Sequence, residues 1–393
     1  MAPWWGPIRW STAVRRRTRW WPGYRPRSSV KRAVLPSCDI RESRHRTSDR
    51  RRRKGRVVPV KSLLKRLLST SQSLRVLDRS GRPRVIVLMY HDLCEDGDFT
   101  NWLRVPVSEF EAQLRMLGRV GRIVDTAACG DPESLPADRL HFLLTFDDGY
   151  VNNLRLALPV LERLEVPATF FISTGPMTDG APFWSDMVTT AIAGADLREL
   201  DLGEFGLDRY RFRPGDGEAA WEDVQRCLVA IKAVGNEDHP AVAGVLDHLR
   251  RQYAQVLDEH LPRYRPLSSS EVATLAASPL VTIGSHGHHH RVLTLLDDEA
   301  LAHSLTESRR LLEDIVGGPV RELAYPNGDH DERVRAAAVC AGYERAYTVA
   351  PGILGATDDP LLCPRLGVGG VGPRWLLGSL LGEQLLRDRL GRS

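Results

Sequence analysis

The sequence has 393 residues, of which 42% are hydrophobic and 26% are charged, a composition ordinary for a globular protein with one large core or two medium ones. Its net charge of +4 conceals two unlike parts, because residues 1–56 carry 18 Lys and Arg against 3 Asp and Glu, while the remainder carries 36 against 47. No apolar run suggests a membrane span. The acidic remainder would repel phosphates, so no nucleic-acid partner is expected.

The basic segment 1–56 has no hydrophobic periodicity, which is typical of a disordered tail. It contains the cluster Arg15-Arg16-Arg17, but no apolar segment follows, so no signal peptide is predicted and the default location is cytoplasmic or peripheral to a membrane. A translation start near Val57 would remove this tail. Residues 57–82 lead into the domain, and 57–68 form a short basic amphipathic helix that either contacts an anionic membrane surface or packs on the domain.

From residue 84 onward, short apolar runs alternate with helical patterns, which favours a parallel α/β sheet or barrel. The predicted strands cover residues 84–91, 122–125, 141–146, 167–173, 280–284, 322–326 and 345–349. The predicted helices cover residues 107–120, 152–164, 298–316, 332–341 and 375–390. Ser108 is the expected N-cap of the first helix, because Glu111 follows three residues later.

The alternation stops near residue 184 and resumes near residue 280, which divides the chain. The barrel is predicted over 83–185 and 268–372, the mostly helical insertion over 186–267, and a closing helix over 373–393. Six cysteines are scattered without C-x-x-C spacing, so we expect reduced, mostly buried thiols rather than a zinc knuckle or a disulfide framework.

Two adjacent carboxylates, Asp147 and Asp148, end the apolar run that begins at His141. Consecutive strand residues point to opposite faces, so a turn at Gly149 would let one carboxylate bind a metal while the other handles a proton. A surface Asp-Asp-Gly turn is the structural alternative. The strand before the pair and the helix after it favour a βα loop, where α/β folds place their active sites.

Four histidines occupy five positions between His286 and His290. If this segment forms a helical turn, His286 and His290 face one side and can share an ion, whereas His288 points away; His289 is the competing choice. Two imidazoles and one carboxylate suit Zn²⁺ or another borderline divalent ion with open positions for water. A solvated His-rich loop is the alternative.

Three motifs together resemble those of the NodB-type polysaccharide deacetylases (carbohydrate esterase family 4), and they occur in the family's order. They are residues 145–150 (Thr-Phe-Asp-Asp-Gly-Tyr), the pair His286 and His290, and residues 324–328 (Ala-Tyr-Pro-Asn-Gly). The resemblance covers roughly 84–185 and 268–370. It is nearest to the bacterial exopolysaccharide deacetylases, whose opening strand resembles residues 89–92 (Met-Tyr-His-Asp).

The resemblance implies a distorted (β/α) barrel of about seven strands with a metal-dependent active site. By its motifs, Asp148, His286 and His290 would bind a divalent metal, Zn²⁺ being the expected one, and Asp147 would be the catalytic base. The backbone N–H of Asn327 would help to bind the oxyanion.

The chain also departs from the family's pattern. Gly287 stands where the family usually has Ser or Thr, and Ala324 stands where many members carry an arginine that holds the catalytic aspartate. Arg365 is our suggestion for the lost tethering charge. The late Leu-x-His motif is absent, so the general acid is unassigned.

The predicted function is removal of N-acetyl groups from amino sugars of a polysaccharide or its precursor. Its candidate substrate-binding residues, besides Asn327 and Arg365, are His91, Tyr150, Trp184 and Tyr325, although each aromatic ring could equally be rim packing. The alternatives are hydrolysis of a non-sugar amide, or a catalytically weak relative that binds carbohydrate. The oligomeric state is left open.

Overall fold

The computed structural model describes residues 85–96, 103–136, 139–214, 218–355 and 358–369. The predicted basic tail, lead-in helix and closing helix lie outside these residues, as does the suggested membrane contact at 57–68. Among the residues that are described, none of the helices is both long enough and apolar enough to cross a bilayer.

The described residues form twelve strands. They are β1 (Val85–Tyr90), β2 (Asp92–Cys94), β3 (Arg104–Pro106), β4 (Gly121–Val124), β5 (Leu140–Phe146), β6 (Ala168–Ile172), β7 (Glu199–Asp201), β8 (Arg209–Arg211), β9 (Val281–Ser285), β10 (Glu322–Ala324), β11 (Arg345–Tyr347) and β12 (Leu366–Gly367).

Ten α-helices accompany them in the same part of the chain. They are α1 (Val107–Val120), α2 (Ala127–Gly130), α3 (Leu158–Leu164), α4 (Thr174–Asp179), α5 (Trp184–Gly194), α6 (Glu218–Val234), α7 (Pro240–His260), α8 (Ser269–Ala276), α9 (Asp298–Val316) and α10 (Glu332–Cys340).

The large sheet is parallel and runs in the order β11-β10-β9-β6-β5-β1-β12, with β4 beside the first half of β5. Every residue of β1 and β5 is buried, as expected for parallel strands covered on both faces. The segment leading into β12 joins the two ends of the sheet: Cys363 N–H donates to Ala346 O in β11 (2.9 Å), and Val368 N–H donates to Met89 O in β1 (2.8 Å). The sheet therefore curls into the expected distorted barrel.

Separate hydrophobic clusters fill the barrel and the helical segment. The interior of the curled sheet is packed by residues such as Val87, Leu143 and Phe171. Residues between Trp184 and Tyr264 add no strand to that sheet, since β7 and β8 pair only with each other among the described strands. This segment has its own core of helical residues, including Leu249 of α7. These observations support our proposal that 186–267 is an insertion.

Ser108 is not the N-cap of α1: the helix begins at Val107, directly after Pro106, and no side chain caps it. Glu111 instead bonds Arg115 within the helix. The expected cap is wrong because the chain passes without a loop from β3 into α1.

The sequence also predicts reduced, mostly buried cysteines. The five cysteines that the structure describes are free, and four of them are buried.

Candidate metal centre

The backbone changes conformation between Asp147 and Asp148, the two aspartates that follow β5. Asp147 continues the strand, since its N–H donates to Tyr90 O (3.0 Å). Asp148 and Gly149 then adopt left-handed backbone conformations with φ of 74° and 87°. Aspartate tolerates this conformation better than most residues, and glycine takes it freely. A Cβ at Gly149 would lie 3.0 Å from Ile172 Cδ1, so a larger residue at this position would also crowd the Ile172 side chain.

Asp147 forms a buried ion pair with Arg365, whose side chain is 1% exposed. The two guanidinium Nη atoms donate to the two carboxylate oxygens at 2.6 and 2.7 Å, and Nε donates to Thr348 O (2.9 Å). Burial raises the pKa of Asp147, but Arg365 and His286 outweigh burial and hold the pKa below its usual range. Asp147 is therefore ionised at neutral pH. This contact is the tether that the sequence suggested.

Asp148 lies between two histidines. Its Oδ1 is 3.4 Å from His286 Nε2 and 3.2 Å from His290 Nε2. The ligand atoms of the three side chains all lie within 4.8 Å of one another. His286 Nδ1 donates to Ala324 O (2.8 Å), because a carbonyl oxygen can only accept, and this leaves the Nε2 lone pair directed toward Asp148.

The chemistry of these donors fits a divalent cation. Asp148 Oδ1 is buried and makes no hydrogen bond within the described structure, although two imidazole nitrogens face it. Burial raises the pKa of Asp148, but the adjacent His290 and His286 hold it well below its usual range. Two neutral imidazoles and one carboxylate are a donor set for Zn²⁺ or another borderline ion.

The two histidines do not converge through a helical turn, so that part of the prediction is wrong. Residues 286–292 form an irregular loop, in which Gly287 (φ 74°) and His290 (φ 54°) have left-handed conformations. The chain therefore doubles back and brings His290 to the cluster. His288 points elsewhere, with Nδ1 2.8 Å from Thr174 Oγ1.

The absence of Ser or Thr at Gly287 is offset by hydroxyls from other positions. Gly287 N–H donates to Ser285 Oγ (3.1 Å), and His288 N–H donates to Ser304 Oγ (3.2 Å). Gly287 O accepts from Thr174 N–H (3.2 Å). These hydrogen bonds to the N–H and C=O groups of Gly287 and to the N–H of His288 hold the loop that carries both histidines.

Three other predicted residues lie beside the cluster. Trp184, at the start of α5, and Asn327 line one shallow pocket together with His290. His91, directly after β1, is close enough for the charges of Asp148 and Asp147 to act on its ring, although burial outweighs them and lowers the pKa of His91.

Tyr150 and Tyr325 do not offer a face to a sugar. Their relative exposures are 2% and 0%. Tyr150 OH donates to Asp186 Oδ2 (2.9 Å), and Tyr325 OH donates to Leu361 O (3.1 Å). The prediction that they bind substrate is wrong for these two residues, and the packing alternative holds, because both rings are buried and pack within the protein.

Sequence reasoning missed the far wall of the pocket. Lys232, Gly235, Asn236 and Glu237, at the end of α6 and in the loop before α7, line the same pocket as Asn327. No motif marks these residues, and they precede His290 by more than fifty positions. Only the tertiary fold brings them to the site.

Comparison with known families identifies the chain. The family model described as polysaccharide deacetylase matches residues 136–346, more than half of the sequence, and this range contains both aspartates and both histidines. The chain therefore belongs to the polysaccharide deacetylase family.

Individual relatives are distant. YxkH of Bacillus subtilis (strain 168), a protein named as a polysaccharide deacetylase, is 34% identical over 90 residues, which are 22% of this chain and 30% of YxkH. A polysaccharide deacetylase from Bacillus cereus has a TM-score of 0.48 at 21% identity, covering 76% of this chain and 69% of that one. IcaB from Ammonifex degensii also has a TM-score of 0.48, at 17% identity over 77% and 97% of the two chains.

Proposed function

We propose that this protein is a metal-dependent N-deacetylase that acts on N-acetylated amino sugars of a polysaccharide or its precursor. The observation that carries the proposal is the cluster of Asp148, His286 and His290 beside a second, ionised carboxylate, Asp147, which Arg365 holds in place. Membership of the polysaccharide deacetylase family supports the same reaction class.

Each residue of the centre has a defined part in this reaction. A divalent ion bound by the three ligands would polarise an acetamide carbonyl and lower the pKa of a water molecule. Asp147 Oδ2 lies 4.0 Å from His286 Nε2, so it faces the cluster and can accept the proton of the attacking water. Arg365 fixes both carboxylate oxygens, which orients this base.

The surroundings favour a sugar substrate. Trp184 offers a partly buried aromatic ring, and Asn327 lies across the same pocket, where its backbone N–H would help to bind the oxyanion. His91 would contact the substrate from the end of β1. An aromatic ring beside polar groups suits a saccharide, which has apolar ring faces and hydroxyl edges.

The test is amine release from N-acetylglucosamine oligomers by protein reconstituted with Zn²⁺, compared with the Asp147→Asn variant. We expect release by the wild type that depends on added metal. Release from simple acetamides alone would instead identify a non-sugar amide hydrolase. Oligomer binding without any release would identify a carbohydrate-binding relative.

A further inference from the structure

The pocket beside the metal centre has one wall from outside the barrel. This wall is formed by Gly235, Asn236 and Glu237 of the segment 235–239, which joins α6 to α7. Glu237 of this segment is partly buried and lines the pocket together with Trp184 and His290. Its charge acts on His290, and burial raises the pKa of Glu237. A carboxylate from the helical segment is thus held next to a residue of the metal centre.

The segment is fixed against the loops of the site by the neighbours of Glu237. Asn236 Oδ1 accepts from Val292 N–H (2.8 Å), two residues after His290. Asp238 pairs with Arg291 (3.2 Å). Both flanking side chains therefore anchor the segment to the loop that carries the metal-binding histidines.

The helix that leads into the segment is anchored as well. Lys232 Nζ lies 2.7 Å from Asp329 Oδ2, and Asp329 follows Asn327 by two residues. The segment 235–239 is thus held by its contacts with Arg291 and Val292 and, through Lys232 of α6, by the contact with Asp329.

Glu237 itself forms no hydrogen bond or ion pair with any residue that the structure describes. Partly buried polar groups usually have partners, and an ionised carboxylate can only accept hydrogen bonds. The acceptor oxygens of Glu237 thus remain available at the pocket, whereas the polar side chains on both sides of it are engaged.

We propose that Glu237 is a specificity-determining residue that accepts hydrogen bonds from hydroxyl groups of the sugar whose acetamide lies at the metal centre. This inference rests on the proposed deacetylase function. Sugar hydroxyls supply the donors that the carboxylate needs, and the Trp184 ring can pack against an apolar face of the same sugar. The interaction distinguishes a sugar from an acetyl compound that has no hydroxyl groups.

The test compares Glu237→Ala and Glu237→Gln with a control, Asp247→Asn, which alters an exposed carboxylate of α7. The substrates are N-acetylglucosamine oligomers and 4-nitrophenyl acetate, an acetyl ester without hydroxyl groups. Hydrogen bonds to charged groups predict a loss of roughly 10- to 100-fold in kcat/KM on oligomers for Glu237→Ala. The loss should appear mainly in KM, because the bond is made in the ground state as well.

Three further readouts separate hydrogen bonding from a structural role. Glu237→Ala should keep wild-type metal content and wild-type ester hydrolysis. Glu237→Gln should lose less than Glu237→Ala, because the amide retains an acceptor oxygen. Calorimetric affinity for the oligomers in an Asp147→Asn background should fall with Glu237→Ala and stay unchanged with Asp247→Asn.

Wild-type kinetics on oligomers in Glu237→Ala would overturn this inference while leaving the deacetylase proposal intact. Equal losses in the Gln and Ala variants would also overturn it, because they would show that the acceptor oxygen retained by Gln contributes nothing to binding. A wild-type protein that cleaves the ester but no oligomer would refute the proposed function itself, so the two failures are distinguishable.

Discussion

The metal centre and the α6–α7 loop face the same pocket, but different kinds of contact hold them. The metal centre depends on a fully buried ion pair, Arg365 with Asp147, and on backbone hydrogen bonds. The loop side depends on accessible pairs, such as Lys232 with Asp329, whose side chains are 17% and 28% exposed. Breaking a buried pair is costly, whereas exposed pairs contribute little. The metal centre is therefore held by contacts that are costly to break, whereas the α6–α7 loop can change at small cost.

The largest effect is expected at the histidines. His286→Ala and His290→Ala should each abolish stoichiometric metal binding, because each removes one of three ligands. His288→Ala, the matched control from the same loop, should retain the metal. Elemental analysis of the purified proteins measures this. Metal retained in His290→Ala but lost in His289→Ala would show that the wrong histidine was chosen.

Removing the buried cation should destabilise the barrel. Arg365→Met leaves Asp147 buried without its counter-charge, which typically costs about 3–5 kcal/mol in the free energy of unfolding. Arg365→Lys keeps the charge but loses the two-pronged geometry, so its loss should be smaller. Urea denaturation measures both. Equal stability of all three proteins would show that the ion pair contributes nothing to the fold.

The same variant should reverse the pH dependence that Asp147 contributes. In the wild type its folded pKa is lowered, so the associated stability is complete above the unfolded value of about 3.9 and is lost as the pH falls through the folded value. In Arg365→Met only His286 and His91 still oppose burial, so this pKa should rise above its usual value, and stability should then decrease as the pH rises. Urea midpoints measured from pH 4 to pH 8 test the sign.

A cavity in the helical segment should leave the metal centre intact. Leu249 of α7 is fully buried in the separate core of the helical segment. Leu249→Ala should lower the free energy of unfolding by about 2–5 kcal/mol. We expect wild-type metal content, because none of the three ligands belongs to this core. Loss of the metal under native conditions would show that the insertion and the barrel form one cooperative unit.

The smallest effect is expected at the accessible pair. Lys232→Met removes the ion pair with Asp329, and partly exposed pairs of this kind contribute about 0–1 kcal/mol. Thermal unfolding should change by no more than a few degrees, with metal content unchanged. A loss as large as that of Arg365→Met would erase the contrast between the two sides.

Much of the barrel and its centre could be predicted from local patterns. Buried parallel strands read as continuous apolar runs, and the carboxylates and histidines directly follow such runs at Asp147 and His286. The structure brings His286 and His290 together with Asp148, but the helical turn invoked for this does not exist. Left-handed backbone conformations at Gly287 and His290 bring the two rings together instead, and a spacing rule cannot reveal such conformations.

Other features depend on tertiary contacts that leave no local signal. Tyr150 and Tyr325 are near strand ends, yet both rings turn inward because buried aromatic surface stabilises the fold. Glu237 reaches the pocket only through the packing of α6 and α7. The prediction that Ser108 caps the first helix is wrong because Pro106 joins a strand directly to the helix.

The most direct test of the account separates the two aspartates. Asp147→Asn keeps the side-chain shape and the ligands but removes the proton acceptor, so the variant should be metal-replete and slower by about 10²–10⁴-fold. Asp148→Asn replaces an anionic ligand with a weak neutral one, so it should be metal-poor and partly rescued by excess Zn²⁺. Metal content and amine release are measured on both proteins. Wild-type turnover in metal-replete Asp147→Asn would contradict the mechanism.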